Sequence, residues 1–254
     1  MTGEKASPHA QGRAALLHQL TRLQEIDRKI VERGGHTPGA RLLALWQVRR
    51  LAATYADLAA DRRYAAAMRF FMEDLYGPED FAQRDADLDR VFPVMSRMLP
   101  TQALAALTQA LELHVITQEL DTQMLSILEQ ELGMTTVLSP AMWAQAYGRC
   151  NRRTAREKQI RLIIDAGRLL DEVVRRPLVY GLVVLARGPA HAAGFGELQG
   201  FVERGFNAFR GMPSAKEFIA TIERRETEIM QGLLQGRFPD SWVEVPGKVS
   251  LTDL

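Results

Sequence analysis

The chain has 254 residues, 46% of them hydrophobic and 25% charged, with a formal net charge of +1. That length can bury a substantial core and the composition is that of a soluble globular protein, while the near-neutral charge leaves no global field to recruit nucleic acid or an anionic membrane. The single cysteine, Cys150, excludes an internal disulfide and a cysteine-built zinc site.

The N-terminal stretch MTGEKASPHAQGRAALL lacks the unbroken apolar run of a signal peptide, and residues 1–12 are expected to be disordered. From residue 13 onward apolar residues recur at helical spacing, and the alternation of a β-strand is almost absent. The spacing predicts helices over about 13–33, 38–76, 79–98, 100–132, 139–149, 153–186, 194–211 and 214–235. The expectation is therefore an all-α, single-domain bundle of seven or eight helices over 13–238. Gly34-Gly35 closes the first helix, and Gly77-Pro78 separates the second from the third.

In the third helix Phe81, Leu88, Phe92, Met95 and Leu99 form an apolar seam in which Asp85 is the polar exception. Glu79 and Asp80 suit the positive end of that helix, and Pro93 and, further on, Pro177 should each kink or break a helical pattern. The fourth helix carries two apolar faces. Leu104, Leu107, Leu111, Leu125, Leu128 and Leu132 make one, and Leu113, Ile116, Leu120, Met124 and Ile127 make the other. Such a helix belongs in the middle of a bundle, and His114, Gln118 and Asp121 lie within its first seam. Buried polar groups need partners, since each one left unsatisfied costs roughly 1–3 kcal/mol. Asp85, Arg49 and Arg63 are the partners the neighbouring helices offer. The expected cluster is Asp85, His114, Gln118, Asp121, Arg49 and Arg63. It reads as a network that fixes helix register, as the polar side of a ligand pocket, or as an acid/base or metal site built on His114.

Ser139-Pro140 reads as an N-cap followed by proline at the first helical position, and Ser214 with Glu217 as a capping box. The run RCNRRTAREKQIR (149–161) is strongly basic but has no interleaved aromatics, so it reads as a solvated face and no nucleic-acid partner is expected. Its charges could lower the pKa of Cys150. PLVYGLVVLA (177–186) is too short to span a bilayer. In GFGELQGFVERGFNAF (194–209), Phe195, Leu198, Val202, Phe206 and Phe209 form an apolar face with Phe201 at its margin. Gly196, Gly200 and Gly205 there call for close approach of another helix. From residue 239 the helical period disappears, and residues 239–254 are expected to be an extended tail, packing on the bundle through Trp242 and Val245 or disordered.

No Glu-x-x-His pair, P-loop, dinucleotide fingerprint or His-Glu-x-x-His motif occurs. No metal ligand, cofactor or catalytic residue is therefore assigned. FFMEDLYGPEDFAQRDADLDRVFPVMSRMLP (70–100) and ARGPAHAAGFGELQGFVERGFNAFRGM (186–212) resemble a family of uncharacterised bacterial proteins that carry a Phe-Phe-x-x-Asp-Leu-Tyr-Gly motif. The resemblance implies an all-helical fold and a bacterial cytoplasmic setting, with no activity attached. The resulting expectation is a soluble, cytoplasmic binding or interaction module with an apolar internal pocket for a small apolar ligand. An enzyme using His114 and its acidic neighbours, and a scaffold that forms a homodimer, are the alternatives.

Overall fold

Proline and serine set the helix starts that the sequence marks most clearly. Ser7 Oγ accepts from Ala10 N at 3.2 Å, Thr37 Oγ1 from Ala40 N at 3.1 Å, and Ser139 Oγ from Met142 N at 3.2 Å. Each is followed by a proline at the first helical position, where its missing N–H and fixed φ cost nothing. A computed structural model describes residues 7–32, 37–72 and 101–253, and its architecture is all-α. The helices are α1 (Pro8–Glu32), α2 (Pro38–Thr54), α3 (Ala56–Ala60), α4 (Ala65–Phe70), α5 (Thr101–Ser126) and α6 (Pro140–Cys150). They continue with α7 (Arg153–Val174), α8 (Pro177–Leu185), α9 (Arg187–Ala192), α10 (Gly196–Arg210) and α11 (Lys216–Leu234). The helix expected over 79–98, with Asp85 and Pro93, lies outside the described residues.

Several boundaries differ from the expected ones for local reasons. Helix α1 begins inside the stretch expected to be disordered, because Ser7-Pro8 caps it. Within the described residues, the helix expected over 38–76 is three helices. It breaks at Tyr55, and again at 61–64, where Asp61 Oδ1 accepts from Arg63 N at 2.8 Å and closes a turn. Pro177 divides α7 from α8, as its lack of an N–H requires. Helix α11 starts at Lys216 rather than 214, and Glu217 makes no capping box. Its Oε2 accepts instead from the Tyr64 hydroxyl at 2.8 Å. The tail after 239 is ordered: 3-10 turns flank β2 (Val249–Ser250), which pairs antiparallel with β1 (Val137–Leu138). Trp242 is buried there, whereas Val245 is exposed.

Helix α5 is central, as its two apolar faces imply, and packs against α1, α2, α6 and α7. It continues through a π-helical turn (Ile127–Glu131), in which Leu132 N reaches back five residues to Ile127 O at 3.0 Å. Gly133, at φ +67°, then turns the chain in a conformation that suits glycine. Three apolar clusters follow. Leu16, Leu20 and Leu23 of α1 meet Leu104, Leu111 and Val115 of α5. Trp46, Trp143 and Trp242 centre a second cluster, with Trp46 stacked on Trp143 at 4.6 Å and Trp242 edge-on to both. The third gathers Tyr55, Tyr64, Met68, Phe206, Phe209 and Phe218.

Of the three α10 glycines, Gly205 and Gly196 have the close neighbour expected, a β-carbon lying 2.7 Å from Phe70 Cζ at the first and 2.7 Å from His191 Nδ1 at the second, whereas at Gly200 the nearest atom is Arg204 Nη1 of the same helix. Phe201, at the margin of the expected face, packs its ring 5.4 Å from Phe70, while Val202 is exposed. Leu178, Leu182 and Leu185 leave α8 with an exposed apolar stripe. No described helix is long and apolar enough to cross a membrane.

Candidate functional site

Between the tryptophan cluster and the phenylalanine cluster lies a chamber of about 100 Å³. Five helices each present one face to it. From α2 come Gln47, Arg50 and Leu51, from α5 Thr117 and Asp121, and from α6 Trp143 and Tyr147. Helix α7 contributes Arg156, Gln159, Ile160 and Ile163, and α11 contributes Ile222, Glu226, Ile229, Met230 and Leu233. The spacings of three and four within each group are those that put side chains over one another on a helix. Met68, Phe71 and Met72, with Tyr55, complete the lining.

Two polar groupings hold the chamber's charge. In the first, Arg50 Nη1 donates to both oxygens of Glu226, at 3.0 and 3.3 Å, and the Tyr55 hydroxyl donates to Glu226 Oε1 at 2.8 Å. The Arg50 guanidinium also lies 5.7 Å from the Trp242 ring and 5.9 Å from that of Trp143, positions that favour a cation over an aromatic face. In the second, Arg156 Nη1 donates to Gln159 Oε1 at 3.1 Å. Gln159 Nε2 then donates to Thr117 Oγ1 at 2.8 Å, and the Thr117 hydroxyl to Leu113 O at 2.8 Å. The Arg156 guanidinium stands 4.5 Å from the Tyr147 ring centroid. Asp121 accepts from Gln47 Nε2 at 2.9 Å. Loss of water pushes the Asp121 carboxyl above its ordinary range, against the pull of Arg156, the Gln47 bond and Arg50. Burial likewise pushes the Tyr147 phenol up.

The network does not close on itself. Arg156 is only 8% exposed, and its Nη2 is buried with no hydrogen-bond partner among the described residues; so is Trp143 Nε1. Both line the chamber. Buried N–H groups are normally paired, and each one left over asks for an acceptor.

The expected cluster reads differently in place. Asp121 is at the chamber wall. His114 and Gln118 are half-buried on α5 but do not line the chamber, and Gln118 accepts from Thr122 Oγ1 through its backbone carbonyl. Arg49 reaches Asp253 at 3.5 Å on the outside, and Arg63 pairs with Asp61 and Glu217 at the surface. Asp85 lies outside the described residues. The arginines that meet Asp121's surroundings are Arg50 and Arg156. Three of the six cations in the basic run 149–161 are paired with acids: Arg149 with Glu131, Arg153 with Glu157, Lys158 with Glu112. Cys150 is buried, and desolvation raises its thiol pKa despite Arg156 and Arg152, opposite to the shift its neighbours suggest in sequence. Among the described residues no three His, Cys, Asp or Glu side chains come together as a metal-holding group.

A signal for the missed residues exists in the sequence. Glu226 interrupts the apolar stripe Phe218, Ile219, Ile222, Ile229, Met230 and Leu233, and Arg156 heads the stripe Ile160, Ile163 and Gly167. A charge inside an apolar stripe is the same anomaly that marks Asp121.

A family model described as a domain of unknown function, DUF8198, matches residues 34–239. All the chamber-lining residues fall within that span. No curated protein and no solved structure matches the chain.

Proposed function

The chain belongs to the DUF8198 family, and from the chamber within the family's span we propose that it is a binding module for a small molecule held inside the helical bundle. The observation that carries this reading is the pair of buried, unpartnered donors, Arg156 Nη2 and Trp143 Nε1, at the wall of a cavity. A network whose sole task is to fix helix register satisfies its members internally, because a partly satisfied one is worse than an apolar core. Here Glu226 accepts from Arg50 and from Tyr55, while the Arg156 grouping has no carboxylate of its own and keeps donor capacity in reserve.

The chamber's size limits the ligand. About 100 Å³ is well below the roughly 300–1,000 Å³ of cofactor and drug-sized sites, so a nucleotide or flavin does not fit among these residues. It is of the order that holds a six-membered ring. The lone, buried Cys150 agrees with a reducing, cytoplasmic setting, which we include in the proposal together with the bacterial origin that the sequence motifs imply.

Mass spectrometry of freshly purified protein under native conditions tests the reading. A retained small molecule is expected, released on denaturation and lost when Ile222→Trp fills the chamber. A folded protein that carries no retained mass in any preparation, and whose melting temperature no small metabolite raises, would overturn it.

A further inference from the structure

We propose that the chamber selects a small monocarboxylate, its carboxylate held by Arg156 and its short hydrocarbon part lying against the isoleucines of α7 and α11. This rests on the small-molecule reading above and names its ligand class.

The argument begins with charge. A guanidinium keeps its charge in any protein environment, and a buried one is normally paired with an anion. Arg50 has such a partner in Glu226. Arg156 has none: no carboxylate lies within 4 Å of it among the described residues, although it is 8% exposed. Its Nη1 is committed to Gln159, its face to Tyr147, and its Nη2 to nothing. Asp121 is near enough to feel the charge but is held by Gln47 instead. A carboxylate brings two oxygens with about four acceptor sites. Arg156 Nη2 and Trp143 Nε1 are two donors in the chamber wall that lack acceptors.

The same wall restricts how much negative charge can enter. Asp121 and Glu226 line it too, so a dianion such as phosphate meets two carboxylates and gains one unpaired cation. A cation meets Arg50 and Arg156, with Glu226 already occupied by Arg50 and Tyr55. With Glu226 paired to Arg50, a monoanion reaches Arg156 with the least added negative charge beside Asp121. Beyond the polar edge, Ile160, Ile163, Ile222 and Ile229 offer only hydrocarbon. The volume of about 100 Å³ then restricts the chain to a few carbons.

The test is a calorimetric titration at pH 7 of the full-length protein, stripped of ligand by reversible unfolding, with isovalerate, isovaleramide and isoamylamine. These share one hydrocarbon skeleton and differ in the head group. Isovalerate is expected to bind about ten- to a hundred-fold more tightly than the amide, the scale of a charge-assisted bond to a buried guanidinium, and the amine not at all. In Arg156→Met the preference for acid over amide should disappear, and Arg156→Lys should retain part of it. Equal binding of amide and acid, or preference for the amine, overturns the carboxylate assignment while leaving the small-molecule reading in place. So does the absence of isovalerate binding. The broader reading falls only if native mass spectrometry also finds nothing retained, which keeps the two failures apart.

Discussion

The two ends of α5 face opposite kinds of interior. Its first half meets α1 through Leu104, Leu111 and Val115 against Leu16, Leu20 and Leu23, a hydrocarbon cluster edged by the Arg22–Glu119 ion pair. Thr117, two residues past Val115, and Asp121 face a chamber with two arginines and a glutamate in its walls. The hydrocarbon interface gains stability with every methylene it buries. The chamber places charged groups where apolar ones of the same volume would often be at least as stabilising, and it leaves donors unspent. One helix thus carries both a part that serves the fold and a part whose composition makes little sense for the fold alone.

That contrast can be broken from either side. Leu16→Ala, at a side chain with no exposed surface, should cost about 2–5 kcal/mol in urea unfolding and leave the carboxylate preference of the chamber intact. Equal damage to stability and to ligand choice would show the two halves to be one unit. Glu226→Ala is the next largest. It strands Arg50, whose side chain is 11% exposed, and should cost about 2–4 kcal/mol. Combining it with Arg50→Met should recover part of that loss, since removing both charges removes the unpaired one. A double variant no more stable than Glu226→Ala would show that the pair is worth more than its apolar replacement.

The smallest effects are in the pH dependence, where two aspartates should act in opposite directions. Asp57, bonded twice to Arg225, is held at about 2, below the ordinary 3.8. Its contribution is complete above the ordinary value and is lost as pH falls towards 2. Both partners are near the surface, so less than about 1 kcal/mol is expected. Asp121 is shifted upward by desolvation, with Arg156, Gln47 and Arg50 facing it. It binds its proton more tightly folded than unfolded, so stability declines as pH rises from the ordinary carboxylate range through its raised pKa. Relative to wild type, Asp57→Asn should lose its disadvantage in acid, and Asp121→Asn should gain advantage as pH rises. Parallel slopes in denaturation at a series of pH values would contradict this.

Much of the fold is legible in the sequence where one residue decides a local question. Ser139-Pro140 starts a helix, Pro177 interrupts one, and the two apolar faces of α5 place it inside. The site was legible only where a polar residue interrupts an apolar stripe on a helix whose phase is known. Asp121 meets that condition. The pattern over 38–76 points Arg49 inward, but the buried face of α2 runs through Leu42, Leu43, Trp46 and Leu51 and carries Arg50; the alanines that suggest the other face lie largely beyond the break at Tyr55. Arg156 reads as surface because it is one of six cations in thirteen residues; only its step of four to Ile160 distinguishes it. Glu217 was read as a cap, and its bond to Tyr64 is a tertiary contact that no local rule contains.

The tryptophan cluster has a practical consequence. All three tryptophans of the chain, Trp46, Trp143 and Trp242, pack within 4.6–5.8 Å of one another, and Trp143 forms part of the chamber wall. Light absorbed at the red edge of the protein's spectrum is therefore captured in one place, beside the Arg50 charge, while the phenylalanine cluster stays dark. The molecule carries its own optical gauge, and its emission should report occupancy of the chamber without any label.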